Sequence, residues 1–232
     1  MKNVLITGSS RGIGLELVKL FQNKGYNVIA LSRNVKPTNN LKLNNVTSFP
    51  LDISSKKSIS EALNLVYKEY KTIDILINNA GKLINKPFNK TTFQDFQDVY
   101  NVNLFGVAEL IRQLIPSFKK SSHIVNISSV GGISGSSKFS GLSAYSSSKG
   151  ALNILTEVLA EEFKDKGICF NTLALGAVQT EMLEEAFPGY KANVSPSEMA
   201  NLIYKFSVDG YKFFNGKIIP VSSSNPLLKM RY

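Results

Sequence analysis

Val4-Leu5-Ile6-Thr7-Gly8-Ser9-Ser10-Arg11-Gly12-Ile13-Gly14 is the stretch that decides the architecture. A short apolar run passes through a glycine-rich turn into a helical pattern over 13–24, which reads as strand, turn and helix. Gly8 permits the tight turn. Gly12 removes a side chain where a pyrophosphate must approach, and Gly14 lets helix and strand pack closely. Ser10, Arg11 and Ile13 complete the phosphate-facing turn. The helix start then offers free N–H groups and a positive dipole end to phosphates. Glycines also collect in ordinary turns, so the motif takes its weight from the strand before it and the helix after it.

Working outward, further strands are expected at Asn27–Ser32, Val46–Leu51, Ile73–Asn78, His123–Ser128, Ile168–Ala174 and Lys217–Val221. Helical patterns cover 55–71, 92–118, 144–165 and 196–207. Thr92 with Asp95 marks one helix start, and Ser195-Pro196-Ser197-Glu198 gives a capping box with proline at the first helical position. Strands separated by helices predict a parallel sheet of about seven strands covered on both faces, a Rossmann-type doubly wound α/β fold. The connection from Asn34 to Asn45 leaves room for a short helix or none. One domain over 1–232 is expected, because the chain has 232 residues, 43% of them hydrophobic, and no internal repeat.

Composition narrows the function classes. The formal net charge is +10, yet the lysines are dispersed, so an anionic cofactor is favoured over nucleic acid as partner. No run of about 18 apolar residues is present, so no membrane span is expected. The single cysteine, Cys169, excludes an internal disulfide and suits a reducing, cytoplasmic location; its apolar neighbours suggest a buried thiol. No metal is expected.

The end of the second strand selects among dinucleotides. An acidic residue there would bond the 2′-hydroxyl of NAD(H). This chain has Ser32-Arg33, with Arg11 available from the glycine turn, and two guanidinium groups suit the 2′-phosphate of NADP(H). Asp52, followed by Ile53, stands where a carboxylate would accept from the adenine amino group; a helix N-cap is its ordinary alternative. Asn78-Asn79-Ala80-Gly81 ends the fourth strand at the same edge with small residues.

Tyr145 and Lys149 are four apart in a helical pattern and therefore share a face. A positive charge ~4 Å from a phenol, at an effective dielectric near 20, favours the phenolate by roughly 4 kcal/mol. The spacing thus predicts a tyrosine titrating near neutrality rather than near ~10. Ser129 leaves the fifth strand where it would bond a substrate carbonyl, with Ser128 a lesser candidate. Asn103 lies inside a strong helical pattern that asparagine disfavours. Either its side chain interrupts the helix to hold a water in a proton relay, or it faces solvent.

Taken together, Thr7-Gly8-x-x-x-Gly12-Ile13-Gly14, Asn78-Asn79-Ala80-Gly81, Asn103, Ser129, Tyr145-x-x-x-Lys149 and the run from Asn171 to Thr180 resemble the short-chain dehydrogenase/reductase family, in its single-domain branch. The resemblance implies a catalytic tetrad of Asn103, Ser129, Tyr145 and Lys149, and nicotinamide contacts from Val178 and Thr180. The expected activity is NADPH-dependent reduction of a ketone or aldehyde, or its reverse, with Tyr145 as acid or base and Lys149 also reaching the nicotinamide ribose. A non-catalytic dinucleotide sensor and an epimerase or dehydratase are the alternatives on the same fold. The sequence departs from the family at Leu175-Gly176, in the enlarged loop between Ser129 and Tyr145 around 136–141, in a short lid from Glu181 to Val194, and in a tail from Ser222 to Tyr232 without the usual glycine-rich ending. Leu83, Phe139, Leu142, Met182, Phe187 and Tyr190 are candidate substrate-lining residues. Two helices with apolar residues beyond one face predict a homodimer or a tetramer.

Overall fold

The structure is a computed structural model that describes residues 1–222. Ten of the eleven residues of the atypical tail thus lie outside the described residues, Ser222 being the exception. Seven strands form one sheet: β1 (Asn3–Thr7), β2 (Asn27–Ser32), β3 (Val46–Pro50), β4 (Ile73–Asn78), β5 (Phe118–Ser129), β6 (Cys169–Leu175) and β7 (Lys217–Val221). Their order is β3-β2-β1-β4-β5-β6-β7, and every neighbouring pair is parallel. The chain direction of strand addition reverses between β1 and β4, and in such sheets ligands bind at that crevice beyond the strand carboxyl ends.

Among the described residues, eight α-helices connect the strands: α1 (Gly12–Asn23), α2 (Lys36–Asn39), α3 (Lys56–Glu69), α4 (Phe93–Tyr100), α5 (Gly106–Leu114), α6 (Ser143–Glu162), α7 (Glu181–Ala186) and α8 (Pro196–Asp209). Side chains alternate across each strand and so divide the core in two. Leu5, Leu76 and Ile124 pack with Leu63 of α3, Leu110 of α5 and Leu152 of α6. Ile6, Ile77 and Val125 face the other way, with Leu17 and Phe21 of α1 and Ile203 of α8. α2 is a single turn, as the short connection requires.

A buried polar ladder fastens α6 to the sheet. Asn78 Nδ2 donates to Asn126 Oδ1 at 2.8 Å, and Asn126 Nδ2 donates to Thr156 Oγ1 at 2.9 Å. Thr156 Oγ1 also lies 2.8 Å from Thr172 Oγ1. Each group costs about 1–3 kcal/mol if left unpartnered in the core, so the ladder fixes the register of α6.

The long helix expected over 92–118 is instead three pieces. α4 begins at the Thr92–Asp95 capping box, a π-helical turn follows at Asn101–Phe105, and α5 ends at Leu114. Pro116 cannot supply the next helical N–H, and β5 then starts at Phe118, five residues earlier than its apolar pattern suggests. The lid helix α7 carries no apolar periodicity and was not anticipated. Cys169 is half-buried rather than buried, and burial pushes its thiol above the usual range.

Candidate active site

The glycine turn is built by contacts too close for side chains. Gly8 has φ +68°, and a Cβ there would lie 2.8 Å from Ala80 Cα; one on Gly14 would lie 2.1 Å from the Gly8 carbonyl oxygen. Asn79 Nδ2 donates to the Thr7 and Gly8 carbonyls at 3.1 and 3.2 Å. The Asn79 and Ala80 N–H groups both reach Thr7 Oγ1 at 3.1 Å. The 78–81 segment thus clamps the turn from below.

α1 starts at Arg11 with no side-chain cap and no acidic residue in its first turn, so its orphan N–H groups remain open to an anion. In the same turn the Ser9 hydroxyl is buried without a partner, while Ser10 and Ile13 are half-buried. These features fit a dinucleotide pyrophosphate. So does the space beside Gly81: a Cβ there would meet Asn103 Oδ1 at 3.6 Å, Lys149 Nζ at 3.7 Å and Met182 Cε at 3.9 Å.

The adenosine end is less closed. Ser32 is buried, its hydroxyl bonding the Asn34 carbonyl at 2.9 Å, and Arg33 is exposed. Asp52 is exposed and accepts from the Ser54 hydroxyl and N–H at 2.6 and 3.0 Å. Those bonds, together with the charge of Arg33, hold its carboxyl below the usual range. Asp52 is not the α3 cap, a role that Ser55 fills. Ile53 is buried, with its carbonyl against Gly106. Arg11 does not lie free in the turn: both its terminal nitrogens bond the Glu185 carboxylate on α7.

Asn103 sits in the π-helical turn and is fully buried, which excludes the solvent-facing reading. Its Oδ1 accepts from the Lys82 N–H at 2.8 Å; its Nδ2 donates to the Lys82 carbonyl and Ser148 Oγ, each at 2.9 Å. Protein partners therefore occupy the side chain. It ties the segment after β4 to α6.

Tyr145 and Lys149 do share a face of α6. Lys149 Nζ lies 5.8 Å from the Tyr145 ring centre and donates to the Ile127 carbonyl at 2.8 Å. Ser129 stands near the Tyr145 phenol and accepts from the Gly131 N–H at 3.2 Å, whereas Ser128 is buried and turned to the Lys149 carbonyl at 3.2 Å. Of the two, Ser129 is the one beside the phenol. The lowered tyrosine pKa expected from the spacing is not found. Burial pushes the phenol up to about 12, the neighbouring Ser129 opposing it, and burial brings the Lys149 ammonium down to about 8. Desolvation of both groups outweighs their mutual attraction at this separation.

Val178 is buried and Thr180 caps α7 through the Leu183 N–H at 3.3 Å. Of the substrate-lining candidates, Leu142 is buried, Leu83, Met182 and Phe187 are half-buried, and Phe139 and Tyr190 are exposed. Asn85 Nδ2 donates to the Ala186 carbonyl at 2.8 Å, which joins the lid to this mouth. Thr7 stands in the glycine motif without a role of its own in the sequence reading, and Ser148 and Glu185 have none there. The acidic run Glu181, Glu184, Glu185 in a basic chain was the available signal for the last.

A family model described as short chain dehydrogenase matches residues 2–191. The chain belongs to this family. It is 30% identical over 213 residues to a fatty acyl-CoA reductase of Acinetobacter baylyi, covering 87% of this chain and 71% of that protein. A 3-oxoacyl-[acyl-carrier-protein] reductase of Aquifex aeolicus is 30% identical over 240 residues, 94% of each chain. A solved 4-hydroxyisoleucine dehydrogenase complexed with NADH superposes with a TM-score of 0.86 at 27% identity, covering 97% of this chain and 98% of that one. This short-chain dehydrogenase is accordingly an NAD(P)-dependent oxidoreductase acting between carbonyl and alcohol. Among its described residues, no helix is long and apolar enough to cross a membrane.

The buried ammonium makes a pH prediction. Lys149 holds its proton to about pH 8 when folded, against 10.5 ordinarily. Between these values the unfolded chain binds more protons, so stability rises with pH across that window; below it the full cost of burying the cation applies. Lys149→Met removes this dependence. Wild-type stability in urea should therefore gain on the variant as the pH rises from about 8 to 10.5. Parallel stability–pH curves for the two proteins would show that the ammonium is not buried.

Proposed function

We propose that this protein reduces a ketone or aldehyde with NADPH, Tyr145 acting as the proton donor. The observation that carries the reading is Lys149 Nζ 5.8 Å from the Tyr145 ring centre on one helical face, with Ser129 near the phenol at the carboxyl edge of β5. When bound, NADPH supplies the hydride. Ser129 orients the substrate oxygen and Tyr145 gives it a proton. Lys149 stands ready to hold the nicotinamide ribose and to return the proton to the phenol. A phenol titrating near 12 is protonated at neutral pH, which suits an acid in reduction better than a base in oxidation. Val178 and Thr180 support the nicotinamide end, and Gly8, Ser10, Gly12, Ile13 and Gly14 the pyrophosphate. Asn79, Ala80 and Gly81 border the nicotinamide side, while Ser32, Arg33, Asp52 and Ile53 surround the adenosine. Asn103 is a positioning residue that holds the Lys82 backbone and α6 together.

The half-buried apolar mouth, Leu83, Met182 and Phe187, favours an apolar acyl or alkyl ketone. Relatives named for fatty acyl-CoA and 3-oxoacyl-carrier reduction are in keeping with that class. Turnover of NADPH with a panel of ketones that includes acyl thioesters tests it. On a confirmed substrate, Tyr145→Phe should leave cofactor binding nearly intact and lower kcat by about 10²–10⁴-fold. Wild-type turnover in that variant would end the mechanism proposed here.

The cofactor preference rests on Arg33, exposed at the end of β2 with no carboxylate in the Ser32-Arg33-Asn34 segment. Hydrogen bonds to charged groups contribute about 1.5–3 kcal/mol. Arg33→Ala should therefore weaken NADPH binding roughly ten- to a hundredfold and leave NADH almost unchanged, as measured by titration calorimetry. Equal affinity of the wild type for NADH and NADPH would remove the preference.

We also propose a dimer, from a narrower surface than the sequence suggested. Leu152, Val107, Leu110, Ile111 and Leu114 are buried within one chain. Ile154, Val158 and Phe105 remain 61%, 54% and 57% exposed on α6 and the π-helical turn, which pack together. Apolar groups adjoining on one face mark an association surface. Light scattering at micromolar concentration should give at least twice the chain mass, and a monomer mass would exclude the dimer.

A further inference from the structure

Arg11, read above as a phosphate ligand, is paired with a carboxylate from another element. Its guanidinium meets the Glu185 carboxylate through both terminal nitrogens, across 174 residues of sequence. A second lid carboxylate approaches the same turn: Glu181 Oε2 lies 3.3 Å from the position a Cβ would take on Gly12. The six-residue lid helix α7 is thus placed with two carboxylates against an anion-seeking helix start. The same end of α7, one residue beyond Glu185, is also held by Asn85 on the Ala186 carbonyl.

We propose that Glu185 is a cofactor-selectivity residue, an internal competitor for Arg11 that the 2′-phosphate of NADPH displaces and the neutral 2′-hydroxyl of NADH does not. The proposal rests on the reading that the protein prefers NADPH. A ligand takes Arg11 from Glu185 only by bringing negative charge to the guanidinium, because a neutral hydroxyl cannot replace a bidentate carboxylate. Arg11 is 49% and Glu185 62% exposed, so the pair is weak enough to exchange. Displacement frees α7 from the glycine turn while Asn85 still tethers it at the substrate mouth. Occupancy of the adenosine phosphate site is thereby linked to movement over the substrate site.

The test compares wild type with Glu185→Gln, a surface change that the fold tolerates, using NADPH, NADH, adenosine 2′,5′-bisphosphate and ADP as ligands. Removing the competitor should tighten NADPH and adenosine 2′,5′-bisphosphate by about two- to fivefold and leave NADH and ADP unchanged. Amide hydrogen exchange over 181–186 in the wild type should quicken with adenosine 2′,5′-bisphosphate and not with ADP. A variant that binds both cofactors more weakly would overturn the proposal, since the pair would then persist as a clamp over bound cofactor. Unchanged affinities together with unchanged exchange would overturn it as well. Equal wild-type affinity for NADH and NADPH would strike the underlying preference. A wild type that prefers NADPH beside a silent Glu185→Gln would strike only the competitor role.

Discussion

The structure depends on the contact between the Gly8 carbonyl and Gly14, where a single methyl group would lie 2.1 Å from the oxygen. That closeness sets the angle at which α1 leaves β1 and aims its uncapped start across the sheet edge. Asn79 then bonds the same turn from β4, so the two strands flanking the switch point are locked at the place where they diverge. Every other element of the site is referenced to this crevice: β5 brings Ser129, β6 leads to Val178 and Thr180, and α6 lies over the gap.

Around that frame the site holds its charged chemistry under strain of desolvation. Lys149 is 4% exposed with one carbonyl as its partner, and its neighbour Tyr145 is pushed up rather than down. Burying the ammonium is costly; the Ile127 carbonyl partly offsets it, and the polar ladder through Asn126 and Thr156 ties α6 to the sheet. The phenol keeps its proton, and the ammonium is the group close to neutrality.

The lid adds an opposite electrostatic tone. A chain of formal charge +10 places Glu181, Glu184 and Glu185 together on one short helix facing the phosphate turn. This is the least expected feature of the site, and it explains why Arg11 cannot be assigned from its place in the glycine motif alone.

Much was legible in the sequence because it depends on local periodicity and backbone sterics. Seven apolar runs separated by helical patterns determined a parallel doubly wound sheet, Gly8 and Gly14 determined the turn, and the i, i+4 spacing placed Tyr145 and Lys149 on one face. Asparagine in an apolar helix correctly marked an interruption at 103, although not what its side chain bonds. What only the tertiary structure decided were quantities that neighbours in space control. Ser129 rather than Ser128 stands beside the phenol because successive strand residues point to opposite sides, and Ser128 turns to the Lys149 carbonyl. The tyrosine's pKa is raised because partial burial desolvates the phenolate, an effect that spacing along a helix does not contain. Arg11 faces Glu185 because residues 174 apart meet at the sheet edge, and no pattern within either segment encodes that meeting.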